Sequence, residues 1–314
     1  MDKQPIPETM LEAVRQFADP QVAHDFFVQI RFPHGVACPR MGCGSARVAY
    51  MANARRWYCN ECKRQFSAKV GTIFEDSPIG LDKWLPAIWL IASNRNGISS
   101  YELARGLKVT QKTAWFMLHR IREAMADESF VKFGALPVEV DETFVGGKAK
   151  SPRNEAGRMV KKGPNYKKTT VMGIVERSNA DRTGRIRAFV VPSNRQHTLS
   201  DKIREHVAPG SVVYTDGLAS YRRLNRDYVH HIIDHAYEYV RGHVHTNNIE
   251  CFWSVFKRTI RGTYIAPRPQ HLQRYVNEQV FRFNERETTD GPRFAKVTMG
   301  ADGKRLTYRA LIGK

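Results

Sequence analysis

Two short cysteine pairs constrain this chain more than any other feature. "CPRMGC" places Cys38 and Cys43 with four residues between them, "CNEC" places Cys59 and Cys62 with two between them, and 15 residues separate the pairs. Such spacing matches a tetrahedral Zn²⁺ site of the ribbon type, because each tight turn presents two sulfurs to one ion. Free buried or redox-active thiols are the alternative. Metal binding at such a site contributes on the order of 10 kcal/mol to folding, so the ribbon is expected to depend on its ion. Arg55, Arg56, Lys63, Arg64 and Lys69 crowd the same segment, either as phosphate contacts or as a solvated basic face. With four of the five cysteines packed together, a metal site in a reducing compartment fits better than a disulfide framework. Cys251 stands apart and is expected as a packed thiol.

The charge balance narrows the partner. Lys and Arg number 50 against 31 Asp and Glu, a formal net charge of +19. That potential favours a polyanion, nucleic acid first; a merely basic soluble protein is the bland alternative, and membranes rank lower. No stretch approaches the ~20 apolar residues of a membrane span. "MDKQPIPETM" lacks the charged-then-apolar order of a signal peptide, so a cytoplasmic location is expected. At 314 residues the chain is long enough for two or three modules.

The expected organisation is multidomain, α+β and α/β. Residues 1–30 read as one amphipathic helical segment, with Met10, Leu11, Val14, Phe17 and Ala18 at helical spacing. Residues 31–75 form the ribbon. Residues 76–130 hold three helices, Leu81 to Ser93, Ser99 to Gly106 and Thr110 to Met125. Residues 131–290 switch to strands and helices in the order β-β-β-α-β-α-β-α, which points to a mixed sheet with helices on its faces. Residues 291–314 are expected as a tail.

Within the helical block, "ISSYELARGLKVTQKTAWFMLHRIREAM" reads as a helix-turn-helix. Ser99 or Ser100 caps the first helix, Gly106 marks the turn and Val109 is its apolar anchor. Ala114, Met117, Leu118 and Ile121 are buried, leaving Gln111, Lys112, Trp115, Arg120 and Arg122 for a DNA groove. A helical packing unit without a DNA role is the alternative.

Three acids stand out further on. "VEVDETF" alternates apolar and polar residues with Asp141 near the middle of a strand, where an acid is costly unless paired or metal-bound. In "SVVYTDG", Asp216 ends a buried strand; an Asp-Gly turn is its other reading. In "HTNNIECFWSVFKRTIRGTY", Glu250 either completes a capping box with Asn247 or belongs to a distant site. For the second reading, Glu250, Ser254, Lys257 and Arg261 form one polar helix stripe opposite Ile249, Phe252, Trp253, Phe256 and Ile260. The carboxylate would then hold a metal at the strand ends while Lys257 and Arg261 follow a phosphate backbone. In-line displacement at a phosphodiester needs an activated nucleophile and a stabilised leaving oxygen, which two Mg²⁺ ions about 4 Å apart supply, and such hard ions take Asp and Glu oxygens. Between these motifs, the segment Gly147 to Lys168 carries eight Lys and Arg residues, Lys161 and Lys162 among them, against Glu155. It is expected to order along phosphates, or else to be a plain disordered loop.

Asp141, Asp216 and Glu250, with Lys257 seven positions after the glutamate, resemble the DDE signature of transposases and integrases on an RNase H-like fold. The chain is similar to bacterial insertion-sequence transposases with an N-terminal zinc ribbon, the ISXO-like group. The likeness shows in "GTIFEDSPIGLDKW", "KTAWFMLHRIREAM", "VEVDETFVGGK", "YTDGLASY", "HTNNIECFWSVFKR" and "HLQRYVNEQVFRFNER", and covers residues from about 20 to 310. The resemblance implies catalytic Asp141, Asp216 and Glu250 gripping two Mg²⁺ or Mn²⁺ ions, with structural Zn²⁺ on Cys38, Cys43, Cys59 and Cys62. Lys257 would be a DNA-contacting helper, and His245, Asn247 or Asn248 are candidates to share the third metal-binding position. It further implies double-stranded DNA, as transposon ends and target, a homodimer or higher oligomer on that DNA, and a bacterial cytoplasmic, nucleoid-associated location. The rivals are a ribbon and helix-turn-helix regulator, and an RNase H-like nuclease that cuts without joining.

Overall fold

A computed structural model describes residues 4–126, 131–147, 167–233 and 245–313. The chain divides into two compact units, Met1–Ala126 with Glu285–Lys314, and Asp127–Asn284. Among the described residues no helix is long and apolar enough to cross a membrane.

The first unit opens with two helices, α1 (Met10–Phe17) and α2 (Pro20–Arg31), where the sequence pattern suggests one. The break is local chemistry. Asp19 accepts from the Gln21 amide at 2.7 Å, and Pro20 takes the first helical position, where its missing N–H costs nothing. Phe17 and Phe26 pack on Phe294. The ribbon is an antiparallel sheet of β1 (Val48–Met51), β2 (Arg56–Cys59) and β3 (Gln65–Ser67). His24 of α2 stacks on its Trp57 with ring centroids 5.6 Å apart.

Helix α3 (Leu81–Ser93) is nearly all buried, including Trp84 and Trp89. A three-residue turn joins α4 (Ser100–Leu107) to α5 (Gln111–Ala124). Ser99 and Glu102 close a capping box on α4. Lys108, not Gly106, takes the left-handed turn conformation, at φ 51°. The expected tail is instead two helices, Asp290–Met299 and Tyr308–Ile312. Phe294 and Val297 are fully buried, so this segment is part of the core of the first unit.

The second unit runs β4 (Val138–Val145), β5 (Thr169–Glu176), β6 (Arg185–Val191), α6 (Gln196–His206), β7 (Val212–Asp216), β8 (Val229–Ile233), α7 (Asn247–Thr259) and α8 (Pro269–Asn284). The sheet order is β6-β5-β4-β7-β8. Strands β4, β5 and β6 pair antiparallel, whereas β4, β7 and β8 pair parallel. Between β7 and β8, where the expected order has a helix, the chain makes two single 3₁₀ turns, Ala219–Tyr221 and Leu224–Arg226. That connection anchors only Tyr221, Leu224 and Tyr228 in the core, too little for a helical face.

Strand alternation sorts the two faces. Val138, Val140, Met172, Ile174 and Val213 pack with Leu199 and Ile203 of α6. Val171, Val175, Ile186 and Ala188 pack with Ile249, Phe252, Trp253 and Phe256 of α7 and with Leu272 and Val276 of α8. Glu139 and Asp141, one residue out of step with the valines of β4, therefore share the α7 face.

Candidate active site and metal centre

Strands β4 and β7 run parallel with Val138 opposite Val213, Glu139 opposite Tyr214 and Val140 opposite Thr215. One step further along the same register brings Asp141 beside Asp216. Asp216 also accepts from the Leu218 amide at 3.1 Å, so its turn role and its place beside Asp141 coexist. Burial, and then the neighbouring Asp216 charge, push the Asp141 carboxyl up to about 6, with Glu250 adding in the same direction. The Glu142 amide and the Trp253 indole, whose Nε1 donates to Asp141 Oδ2 at 3.0 Å, oppose that rise.

Helix α7 settles how its first turn is capped. Thr246 occupies the N-cap position and Asn247 is already helical, so the Asn247–Glu250 capping box does not form. Glu250 is exposed and accepts from the Thr246 hydroxyl at 3.2 Å. Ser254 and Arg261 are exposed and Lys257 half-buried, opposite a buried apolar side, as the periodicity requires. The Asn247 amide donates to His245 Nδ1 at 3.4 Å, and the next two amides go to a residue that sequence reasoning overlooked. Glu139 Oε2 accepts from Asn248 N at 3.0 Å and Ile249 N at 3.1 Å, while Oε1 accepts from Asn248 Nδ2 and Arg177 Nε, both at 2.7 Å. Arg177 also donates to the His245 carbonyl at 2.6 Å and lies 4.4 Å from the Tyr214 ring centroid. His245 and Asn248, candidates for the third metal position, are thus engaged around Glu139.

Gly173, Tyr221 and Glu142 also escaped the sequence reading as site members, and Trp253 counts there only as core. Gly173 sits opposite Asp141 on β5, and a Cβ there would lie 2.8 Å from Trp253 Cζ2 and 3.0 Å from Ile249 Cδ1. Only glycine lets α7 settle where Trp253 reaches Asp141, and Trp253 is therefore more than core filling. On the α6 side, Tyr221 donates to Glu142 Oε2 at 2.7 Å. Burial pushes Glu142 up to about 7, against that hydrogen bond and with help from Asp141 and Asp216. The alternation in "VEVDETF" was the available signal for Glu139, since it puts positions 139 and 141 on one face.

The four cysteines of the ribbon are assembled, their sulfurs all lying within 4.8 Å of one another. Cys38 and Cys62 are 3.8 Å apart and Cys43 and Cys59 3.6 Å, close to the roughly 3.8 Å that tetrahedral Zn–S bonds of about 2.3 Å impose. Burial pushes the Cys38 thiol up to about 12, whereas amides of Cys62 and then Glu61 bring Cys59 down to about 7 against burial. Among the described residues this is the one group of three or more His, Cys, Asp or Glu side chains gathered tightly enough to hold an ion. The carboxylates of Asp141, Asp216 and Glu250 influence one another without being drawn together to that degree.

The expected groove-facing residues divide. Lys112 is exposed, its Nζ 4.9 Å from the Tyr308 ring centroid, and Trp115 is half-buried, edge-on to His119. Arg120 does not face a groove. It is buried, donating to the carbonyls of Leu306 at 3.0 Å, Ile73 at 2.9 Å and Glu75 at 2.8 Å. Arg122 is buried as well. The C-terminal segment returns onto α5, a packing that local periodicity does not reveal. Lys161 and Lys162, with the rest of residues 148–166, lie outside the described residues.

Residues 134–284 match the ISXO2-like transposase domain, and residues 19–65 match the transposase zinc-ribbon domain. An uncharacterized transposase-like protein of Haemophilus influenzae is 35% identical over 104 residues, which are 84% of that protein and 33% of this chain. The chain belongs to the ISXO2-like transposase family. An uncharacterized protein in transposable element ISH50 of Halobacterium salinarum is 28% identical over 286 residues, 94% of that protein and 86% of this chain. No solved structure matches significantly. The transposase domain of the family takes in β4 through α8, with Asp141, Asp216 and Glu250, and the family's ribbon takes in all four clustered cysteines.

Proposed function

We propose that the chain is a DNA transposase that binds the terminal inverted repeats of an insertion sequence and catalyses metal-dependent cleavage and strand transfer on an RNase H-like sheet. The observation that carries this reading is the register of β4 and β7, which aligns Asp141 with Asp216 under the helix that bears Glu250. The donor set fits a divalent cation. Its atoms are hard carboxylate oxygens, and burial beside like charge leaves Asp141 held up to about 6, a cost that a cation relieves. Asp141 and Asp216 would hold Mg²⁺ or Mn²⁺, with Glu250 completing the set from α7. When bound, a pair of such ions supplies activation of the attacking oxygen and stabilisation of the leaving one.

The protein's own residues do the rest. Trp253 fixes the Asp141 carboxylate through its Nε1–H. Lys257 and Arg261 continue the Glu250 stripe and offer cations to the phosphates on either side of the scissile bond. Water attacks the phosphodiester at the transposon end and releases a 3′ hydroxyl, which then attacks a target phosphodiester, so that one P–O bond forms as another breaks and no protein-linked intermediate is needed. The ribbon and the α4–α5 helix-turn-helix recognise the ends, with Lys112 and Trp115 presented for contact and Lys161 and Lys162 following the backbone. Joining requires both ends together, hence a homodimer or larger assembly on DNA in the cytoplasm.

The test is a joining assay with pre-cut transposon ends, target plasmid and Mg²⁺. Wild-type protein is expected to give covalent joints, and Asp141→Ala is expected to bind ends without joining them. Cutting without joints would identify a nuclease, and end binding unaffected by any acid substitution would identify a regulator.

A further inference from the structure

Glu139 is fully buried, and a carboxylate in that position is tolerated only when its oxygens are satisfied. Its partners are Arg177, the Asn248 side chain and the backbone amides of Asn248 and Ile249. Those amides belong to the first turn of α7, where orphan N–H groups and the positive end of the helix dipole both favour an anion.

The N-cap residue Thr246 caps none of these amides, its hydroxyl donating to Glu250 instead, and the neighbouring His245 Nδ1 takes only the Asn247 amide, at 3.4 Å. The cap comes from β4, more than a hundred residues away in sequence. A cap of this kind fixes where the helix starts relative to the strand. Glu139 lies two residues before Asp141 on the same strand face, and Ile249 is bonded directly to Glu250. Besides the Trp253–Asp141 hydrogen bond, a second path from one acid to the other therefore runs through the β4 backbone, Glu139 and the first turn of α7. Arg177 extends it to β7, because the guanidinium that holds Glu139 also lies over Tyr214, two residues before Asp216.

We infer that Glu139 is a positioning residue, anchored by Arg177, that sets the placement of Glu250 against Asp141 and Asp216. This rests on the proposal that those three acids hold the catalytic cation. Glu139→Gln keeps the shape but turns an amide NH₂ toward donors, so at least one of the bonds to α7 is lost.

The test is Mn²⁺ titration of the zinc-loaded full chain, by calorimetry, for wild type, Glu139→Gln, Glu250→Gln and the double variant, with folding followed by circular dichroism. Glu139→Gln is expected to raise the half-saturating Mn²⁺ concentration about tenfold, the usual effect of losing a partner that orients a ligand. In the double variant it is expected to add nothing to Glu250→Gln, because both act through one carboxylate. Asn248→Ala, which leaves the carboxylate and backbone bonds intact, is expected to shift the midpoint the same way by less, again without effect once Glu250 is replaced. An unchanged midpoint in folded Glu139→Gln and Asn248→Ala, or a shift that adds in full to that of Glu250→Gln, would overturn the inference. An unchanged midpoint in Glu250→Gln would instead remove the triad proposal on which it stands.

Discussion

Trp253 and Asp141 are joined across the junction of α7 and the sheet, the indole Nε1 donating to Oδ2 at 3.0 Å one helical turn beyond Glu250. Trp253→Phe keeps most of the buried ring and removes the donor. It is expected to lower stability by about 1–3 kcal/mol, as for a lost hydrogen bond to a charged group. Cleavage of transposon ends should fall further than end binding, because the substitution loosens an acid rather than a DNA contact. Denaturant unfolding and single-turnover cleavage measure the two effects separately.

Gly173→Ala is expected to act through the same junction. Its Cβ would stand 2.8 Å from the Trp253 ring, so α7 must move away from β5. Overpacking of this kind costs about 1–3 kcal/mol. Unfolding experiments should show that loss, and cleavage should fail even where the protein remains folded.

The acids make stability depend on pH. Asp141 rises from an ordinary 3.8 to about 6 on folding, and Glu142 from 4.5 to about 7. A carboxyl whose folded value is raised binds more protons in the native state, so its stabilising share is complete below the unfolded value and is lost as pH rises through the folded one. In zinc-loaded, Mg²⁺-free protein, wild type should lose about 1 kcal/mol more than Asp141→Asn between pH 5 and pH 7. Denaturant midpoints across that range give the comparison, and added Mg²⁺ should restore more at pH 7 than at pH 5.

Features written locally were legible in the sequence, and those written across the fold were not. Cysteine spacing exposed the ribbon, and alternation exposed β4 with Asp141 on it. The helical stripe placed Glu250 on the exposed side of α7, and Arg261 is exposed in the π-helical turn Ile260–Tyr264 that continues it. Glu139 was missed because its partners, Asn248 and Ile249, are brought to it only by tertiary folding. Arg120 was assigned to a groove because Leu306 and Ile73, whose carbonyls take its guanidinium, lie outside the window in which helix periodicity is read. The break between α1 and α2 is a different case: Asp19 and Pro20 spell a helix start, but the apolar spacing across them outweighed it.

Removing the ribbon's metal should unfold it. Cys59→Ser, or a strong chelator, takes away thiolate binding on the order of 10 kcal/mol. Wild-type protein should carry one zinc per chain by elemental analysis. Proteolysis of the metal-free form should open residues 38–67 first while the β4–α8 unit stays protected.

The most direct measurement is manganese anomalous scattering from crystals of the full-length chain bound to a transposon-end duplex. The expected result is a peak within about 2–2.5 Å of carboxylate oxygens of both Asp141 and Asp216, with Glu250 turned toward it. Manganese bound elsewhere, with those two aspartates unligated beside the scissile phosphate, would contradict the proposed site.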